Sequence, residues 1–368
     1  MNQVPKLPLE LIYHIIDSVL PGDPRTVLRP SGSTTKTLLS LTRVCRAIYP
    51  LASNHLRKHC IYIDNDQRLR DLIRCVESAC GGVSSSSNDR HSDLTTTSVP
   101  LSLPLGVALC PITSLYLAPF RDTIDNLPIA IWIRELFCLV QPTLRRLVID
   151  IPLRSLYPAD DHLDVRKTLR EAFSMLTNLE EFVSVRDELY LDLLEPEWRT
   201  ERETAVWSLW PRLKRLALYQ VAADEMFWAS VRAMRDLDTV ILTRADDLER
   251  VCIKSHYLDA STTGPSAGES GFVDEAETQD EPQKISLKVV LVNISNQQPN
   301  NLAGEREWDK VDPGNRVKVM LYDVPTSFYG DDSPCTLCQQ WVKAASLRGQ
   351  IWDWEGSLVH AKQSEEPS

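Results

Sequence analysis

Residues 144–149 read Leu-Arg-Arg-Leu-Val-Ile, and this stretch carries the pattern that decides the fold. An apolar residue is followed by two residues of any type, an apolar residue, one of any type and a further apolar residue. The starts of the five clearest copies are separated by roughly 20 to 35 residues, which is a spacing typical of structural repeats. Clear or partial copies begin at Ile112, Leu144, Leu179, Leu213 and Leu237, and weaker copies begin at Leu287 and Val317.

Each copy predicts a short buried strand, and the residues between copies predict helices. Residues 129–139 and 165–176 are the clearest helical stretches. A single strand-plus-helix unit cannot bury its apolar face, whereas stacked units can. The chain is therefore expected to form a solenoid-like array over residues 105–258, which resumes over residues 285–360.

Composition separates this array from polar segments. The 368 residues carry a formal charge of −11, with 43% apolar and 25% charged residues, which is typical of a globular chain and not of a wholly disordered one. We expect no nucleic-acid partner, because phosphate binding requires clustered Lys and Arg. Three polar segments are predicted: a low-complexity linker at 81–104, a disordered acidic insert at 259–284 and a flexible tail at 361–368.

The sequence also bears on location. Residues 1–20 lack a basic region followed by an apolar run and a small-residue cleavage site. The longest uncharged stretch, residues 94–120, contains four prolines and favours a loop leading into a buried strand over a membrane helix. These features predict a cytoplasmic or nuclear protein without a membrane partner. The nine cysteines are then expected to be reduced thiols.

Motifs for chemistry are sparse. Cys335 and Cys338 form a lone CxxC, and the nearest additional pair with ligand spacing is Cys252 and His256. A zinc site or a redox pair is possible on this spacing, but ordinary structural cysteines are favoured. The histidines at positions 55 and 59 are interpreted as polar surface residues. The phosphate-loop, dinucleotide-binding, HExxH and GxSxG patterns are all missing, so we expect no cofactor, no metal and no catalysis.

The N-terminal residues predict a helical module. Pro8 suits the first turn of a helix whose apolar stripe ends before Pro21-Gly22. A second helix is predicted from about Leu38 through Ile48, and a third from Pro50 to about residue 58. A short extended segment at 61–63 precedes a fourth helix, for which Asn65 or Asp66 is the expected cap.

The order of residues in this module resembles an F-box, most closely the divergent F-box-like proteins of filamentous fungi. The resemblance is carried by Leu-Pro-Leu-Glu-Leu-Ile at 7–12, Ile-Ile at 15–16, Leu-Leu-Ser-Leu at 38–41 and Val-Cys-Arg-Ala-Ile at 44–48. It implies docking onto a Skp-family adaptor of a cullin–RING ubiquitin ligase. It also implies that the C-terminal region, often leucine-rich repeats in this family, holds an unknown protein substrate without bond chemistry.

The expected fold class is α+β or α/β repeat: a three-helix F-box-like module followed by an irregular leucine-rich-repeat-like solenoid. The predicted organisation is a module at 1–63, a connecting helix at 64–80, the linker at 81–104, the array at 105–258, the insert at 259–284, the continued array at 285–360 and the tail at 361–368.

Two sets of candidate binding residues follow. A module of about 50 residues has a small core, so some apolar side chains should stay exposed for an adaptor unless they pack against the repeats. This set is Leu7, Pro8, Leu9, Ile12, Ile15, Ile16, Leu41 and Val44. Residues 43–74 carry a net charge of +4, which either steers an acidic adaptor or is ordinary solvated surface. The second set consists of strand residues expected to be exposed to substrate: Tyr116, Arg146, Val148, Lys214, Tyr219 and Thr239.

Three functions stay open at this point. The first is a substrate receptor of a ubiquitin ligase, and the second is a repeat scaffold whose F-box-like helices only cap the solenoid. The third is a hydrolase with a deep polar pocket. The clustered tryptophans at 198, 207, 210 and 228 are expected to be core residues rather than recognition residues.

Overall fold

A computed structural model describes residues 8–59, 61–81, 112–194, 203–258, 286–294, 302–325, 332–354 and 356–359. The chain divides into two compact units, Met1–Trp210 with Val342–Ile351, and Pro211–Trp341 with Trp352–Ser368. The boundaries between these two units differ from the predicted domain boundaries, and the latter stay predictions. The predicted insert and tail, and most of the linker, lie outside the described residues.

The first unit begins with three helices, α1 (Leu9–Val19), α2 (Ser33–Leu41) and α3 (Tyr49–His59). Residues 8–59 are called the head below. Strand β1 (Tyr62–Ile63) and helix α4 (Asp66–Gly81) follow the head. The Asn65 side chain accepts a hydrogen bond from the Arg68 amide, which confirms the predicted cap.

The same unit continues with β2 (Ser114–Leu117), α5 (Leu127–Val140), β3 (Arg146–Ile149), α6 (Val165–Ser174) and β4 (Glu181–Ser184). Strands β1 to β4 pair in chain order, and every pair is parallel. Helix α5 starts where Asn126 accepts a hydrogen bond from the Ile129 amide and Pro128 occupies the first turn. The predicted strands and helices of this region are thus confirmed in a mixed α/β arrangement.

The second unit contains β5 (Arg215–Tyr219), α7 (Glu225–Ala233), β6 (Thr239–Thr243), α8 (Ile253–Leu258), β7 (Leu287–Asn293), α9 (Trp308–Val311) and β8 (Val317–Asp323). Strands β5 to β8 are parallel neighbours, and β9 (Ser357–Leu358) pairs antiparallel with β8. Helix α10 (Pro334–Arg348) belongs to the second unit in its first half and to the first unit from Val342 onward.

The apolar repeat positions of strands β2 to β7 are buried. In the first unit, the Phe182 ring lies 4.9 Å from the Trp210 ring, and the Trp210 indole donates to the Phe173 carbonyl of α6. Trp207, Trp210 and Trp228 are buried, as predicted, whereas Trp198 lies outside the described residues. No helix in the described ranges combines the length and apolar character needed to cross a bilayer.

Candidate protein-interaction site

The head has a small core of its own. Ile16 of α1, Leu38 of α2, and Ile48 and Ala52 from α3 and the turn before it are buried together. Partly buried apolar side chains complete this core: Ile12, Leu20, Leu28, Leu41, Leu51 and Leu56. Helix α2 is anchored at its start, where the Thr35 hydroxyl donates to the Arg29 carbonyl at 2.8 Å. The three helices therefore pack around one centre, which leaves their outer faces for other contacts.

Large apolar side chains remain exposed on those outer faces. Leu11 and Ile15 are one helical turn apart on α1, and Ile15 is 50% exposed. Val44, in the turn after α2, is 62% exposed. The term head surface is used below for the exposed set Leu11, Tyr13, Ile15, Leu39, Val44 and Tyr49.

Some of the predicted adaptor-binding residues are exposed, and others are buried in the head core. Pro8, at the N-cap of α1, is exposed, as are Ile15 and Val44. Ile12 and Leu41 are partly buried in the head core. Ile16 is fully buried, so it is not among the members of the set that stay exposed. Leu7 and the side chain of Leu9 lie outside the described residues.

Basic residues accompany the head surface. Arg43 and Arg46 flank Val44 and are exposed. Two later arginines form ion pairs: Arg68 lies 2.6 Å from Asp64, and Arg70 lies 3.8 Å from Asp66. Arg43 and Arg46 therefore place exposed positive charge on both sides of Val44.

Two histidines of α3 pack against each other. The rings of His55 and His59 stack with centroids 6.3 Å apart, and His59 is buried, so the expectation of two polar surface residues is wrong for His59. Burial lowers the pKa of both rings from the ordinary value. Asp17, 3.7 Å from His55, partly opposes the shift of its pKa, whereas Lys58 adds to the shift of both.

The head is expected to lose stability as the pH falls below about 6.5, the ordinary pKa of histidine. The unfolded chain then binds protons that the two rings resist in the folded head, so acid favours unfolding. Thermal unfolding at pH 7.5 and pH 5.5 measures this loss. His59→Asn should flatten the dependence, whereas His14→Gln at an exposed position should not. An equal dependence in both variants would contradict the assignment.

The predicted substrate-binding residues are mostly covered. Tyr116, Arg146, Val148 and Tyr219 are each 3% exposed or less, so the expectation that they form an open strand face is wrong. Lys214, which precedes β5, is exposed, and Thr239 is half-buried. The six residues therefore do not form a common exposed surface.

Residues from the C-terminal part of the chain cover the strand face in each unit. In the first unit, the Arg146 guanidinium donates to the Ser346 carbonyl, and the Lys343 ammonium lies 5.1 Å from the centre of the Tyr116 ring. In the second unit, Lys288 donates to the Trp352 and Trp354 carbonyls at 3.4 and 2.9 Å. The face that was expected to bind substrate is thus occupied within each unit by residues of the same chain.

A buried carboxylate fixes this cover in the first unit. Asp150 accepts hydrogen bonds from Lys343 at 2.8 Å, Arg186 at 3.0 Å and the Tyr116 hydroxyl at 3.0 Å. Burial opposes its charge, but Lys343 and Arg186 together hold the pKa of Asp150 below its ordinary value. The arrangement is an ion cluster that joins β2, β3 and α10.

The second unit contains a polar cleft of about 280 Å³ lined by residues that include Lys254, Trp308 and Asp312. The Lys254 ammonium lies 3.3 Å from Asp312 and donates to the Asn315 side chain at 3.2 Å. The Asp312 carboxylate also accepts hydrogen bonds from the Arg316 and Val317 amides. Burial opposes its charge, but these two bonds and the Lys254 ammonium hold the pKa of Asp312 below its ordinary value. Its hydrogen bonds thus maintain the turn before β8.

The cysteine spacing does not create a ligand set in the described part of the chain. Cys335 is exposed and Cys338 is buried on the first turns of α10, and burial raises the pKa of Cys338 to about 11. Within the described ranges, no three His, Cys, Asp or Glu side chains converge as metal ligands.

Comparison of the chain with protein-family models, curated proteins and solved structures gives no match in any of the three. The resemblance of the head to an F-box therefore depends on its own residues. The surfaces described above are the basis for any functional argument.

Proposed function

We propose that this chain is the substrate-recognition subunit of a cullin–RING ubiquitin ligase of the Skp–cullin–F-box type. The head would dock onto a Skp-family adaptor in the cytoplasm or nucleus. The strand-plus-helix units, arranged as an irregular leucine-rich-repeat-like solenoid, would hold a protein substrate. The observation that carries the proposal is the head surface, an exposed apolar set on α1, α2, the following turn and the start of α3.

The concentration of these side chains favours a partner. Of the twelve exposed large apolar side chains among the described residues, six lie within residues 11–49. Complete burial of one such side chain contributes about 1.5–3 kcal/mol. Because each is already about half buried, cover of one of them by a partner would contribute about 0.7–1.5 kcal/mol, before the cost of association.

The attachment of the head to the strands does not use this surface. Strand β1 pairs with β2, and the Arg70 guanidinium of α4 lies 4.6 Å from the centre of the Trp132 ring of α5. On the head itself, the Val27 amide donates to the Leu347 carbonyl at 2.8 Å. These contacts leave the apolar side chains of α1 and α2 exposed, as a docking module requires.

The same contacts support an alternative function. In a repeat scaffold, terminal units need a polar cap. Strand β1 and helix α4, which follow the head, cover the edge of β2, and the bond from the Val27 amide to the Leu347 carbonyl holds the head on the same unit. The head would then be a structural element. The two proposals differ in what they require of the head surface: a receptor needs its apolar side chains for binding, whereas a cap does not.

Co-expression of the full chain with a Skp-family adaptor from a filamentous fungus, followed by size-exclusion chromatography, tests the proposal. We expect a one-to-one complex. Ile15→Asp combined with Val44→Asp should weaken it by at least about a hundredfold, because both changes place charge in an apolar interface. Met226→Asp, at an exposed apolar residue of the second unit, is the matched control.

Circular dichroism establishes that each variant is folded. A complex that survives the double substitution would contradict the head surface as the docking site. A folded chain that fails to co-elute with the adaptor would contradict the receptor function and favour the scaffold.

A further inference from the structure

Two loops of the first unit expose apolar side chains at the carboxyl ends of neighbouring parallel strands. Tyr157 and Leu163 lie between β3 and α6, and both are more than half exposed. Leu193 and Leu194 lie in the segment after β4, and Leu194 is 54% exposed. These four residues are called the loop surface. The carboxyl ends of parallel strands are a common place for binding sites in α/β folds.

A buried arginine joins the two loops. The Arg166 side chain is fully buried and donates to the Leu156 carbonyl at 2.6 Å and to the Asp192 carbonyl at 2.8 Å. It also donates to the carbonyls of Leu153 and Tyr190. Because one guanidinium binds carbonyls from both loops, the peptide groups that precede Tyr157 and Leu193 lie side by side.

The backbone beneath the apolar side chains is fixed. The Leu193 and Leu194 amides both donate to one carboxylate oxygen of Glu203, each at 2.9 Å. Glu203 in turn lies 3.5 Å from the Arg170 guanidinium. On the other loop, the Asp161 carboxylate accepts hydrogen bonds from the backbone amides of Val165 and Arg166. An exposed apolar set on an ordered backbone loses little entropy on binding.

Within the two loops the charge is negative, and Arg154 and Lys167 border the first of them. Residues 157–164 and 187–194 contain six carboxylates and no Lys or Arg. Arg154 forms ion pairs with Asp187 and Glu188, so those two are compensated. Asp160 and Asp164 are exposed, and neither forms an ion pair with a residue that the structure describes. The rim of the loop surface therefore favours positive charge on a partner.

We infer that the loop surface is a docking site for a protein segment in which apolar side chains alternate with Lys and Arg. The apolar side chains of that segment would cover Tyr157, Leu163, Leu193 and Leu194. Its basic side chains would approach Asp160 and Asp164. This site is separate from the head surface, and its existence does not depend on adaptor binding.

A fluorescently labelled amphipathic peptide of Leu and Lys serves as the probe, and its binding to the full chain is measured by fluorescence anisotropy. Two further peptides keep the same pattern. In the Leu–Glu peptide Glu replaces Lys, which tests the contribution of charge, and in the Ser–Lys peptide Ser replaces Leu, which tests the contribution of the apolar side chains. We expect the Leu–Lys peptide to bind at least about tenfold more tightly than either. Equal binding of the Leu–Glu peptide would overturn the assigned charge preference.

Variants locate the binding. Leu193→Ser with Leu194→Ser should weaken binding of the Leu–Lys peptide at least about tenfold, and Asp160→Asn with Asp164→Asn about threefold. The matched controls at exposed positions of the second unit are Met226→Ser and Asp236→Asn. Ile15→Asp with Val44→Asp should leave peptide binding unchanged, which separates this site from the head surface.

Equal loss in the control and loop variants would overturn the proposal, because the peptide would then bind the acidic chain nonspecifically. Sedimentation of the purified chain tests a second copy as the occupant. A dimer that dissociates on Leu193→Ser with Leu194→Ser would also overturn the proposal. A monomeric chain that binds the peptide through the loop surface would support it.

Discussion

Asp150→Ala is expected to lower the free energy of unfolding by about 2–3 kcal/mol, less than for a fully buried ion pair, because Lys343 and Arg186 are each about one third exposed and water can solvate them. The substitution leaves Lys343 and Arg186 without their carboxylate and the Tyr116 hydroxyl without its acceptor. The contact between α10 and β3 should therefore loosen. Urea unfolding followed by tryptophan fluorescence measures the loss.

Two controls make the result specific. Asp125→Ala, at an exposed position of the same unit, should change stability by no more than about 0.5 kcal/mol. Amide hydrogen exchange should accelerate at Val342–Leu347 in Asp150→Ala and not in the control. A loss below about 1 kcal/mol, with unchanged exchange in α10, would contradict a stabilising role for the cluster.

The effect should also depend on pH. The pKa of Asp150 is lower in the folded chain than in the unfolded one, so its charge stabilises the fold above the ordinary carboxyl pKa of about 4. That contribution is lost as the pH falls through the folded-state pKa. The difference between the natural chain and Asp150→Ala should therefore shrink in acid.

The cover over Tyr116 and Arg146 explains where sequence reasoning succeeded and failed. The leucine spacing predicted the strands correctly, because alternate apolar positions of each strand pack on helices nearby in the chain. The opposite positions looked exposed because several are polar. Their partners, Lys343 and Ser346, lie about 200 residues further along, and no local pattern reveals so distant a contact.

The head shows a similar limit. The sequence predicted a second helix from about Leu38 through Ile48, but α2 runs from Ser33 to Leu41 and a turn follows. Residues 33–37 contain no apolar side chain, so periodicity missed the start of this helix. The exposure of Leu39 and Val44 depends on which face of α2 packs on α1 and α3, and this is decided by tertiary contacts.

Arg166→Met is expected to lower the free energy of unfolding by about 3–5 kcal/mol. Each buried carbonyl that loses its donor costs about 1–3 kcal/mol, and Arg166 donates to four of them. Water reaching the loops recovers part of this cost. Arg166→Lys should lose less, since it keeps the charge, yet a single ammonium cannot reach four carbonyls in two loops. Urea unfolding of both variants gives the two values.

Arg235→Met, at an exposed arginine, is the control and should change stability by no more than about 0.5 kcal/mol. An Arg166→Met loss as small as that of the control would contradict the bridging role. Arg166→Met also bears on the loop surface, because it keeps the side chains of Tyr157, Leu193 and Leu194 and removes the contact that joins their two loops. If binding of the Leu–Lys peptide depends on the fixed geometry, Arg166→Met should weaken it although no contacting side chain has changed.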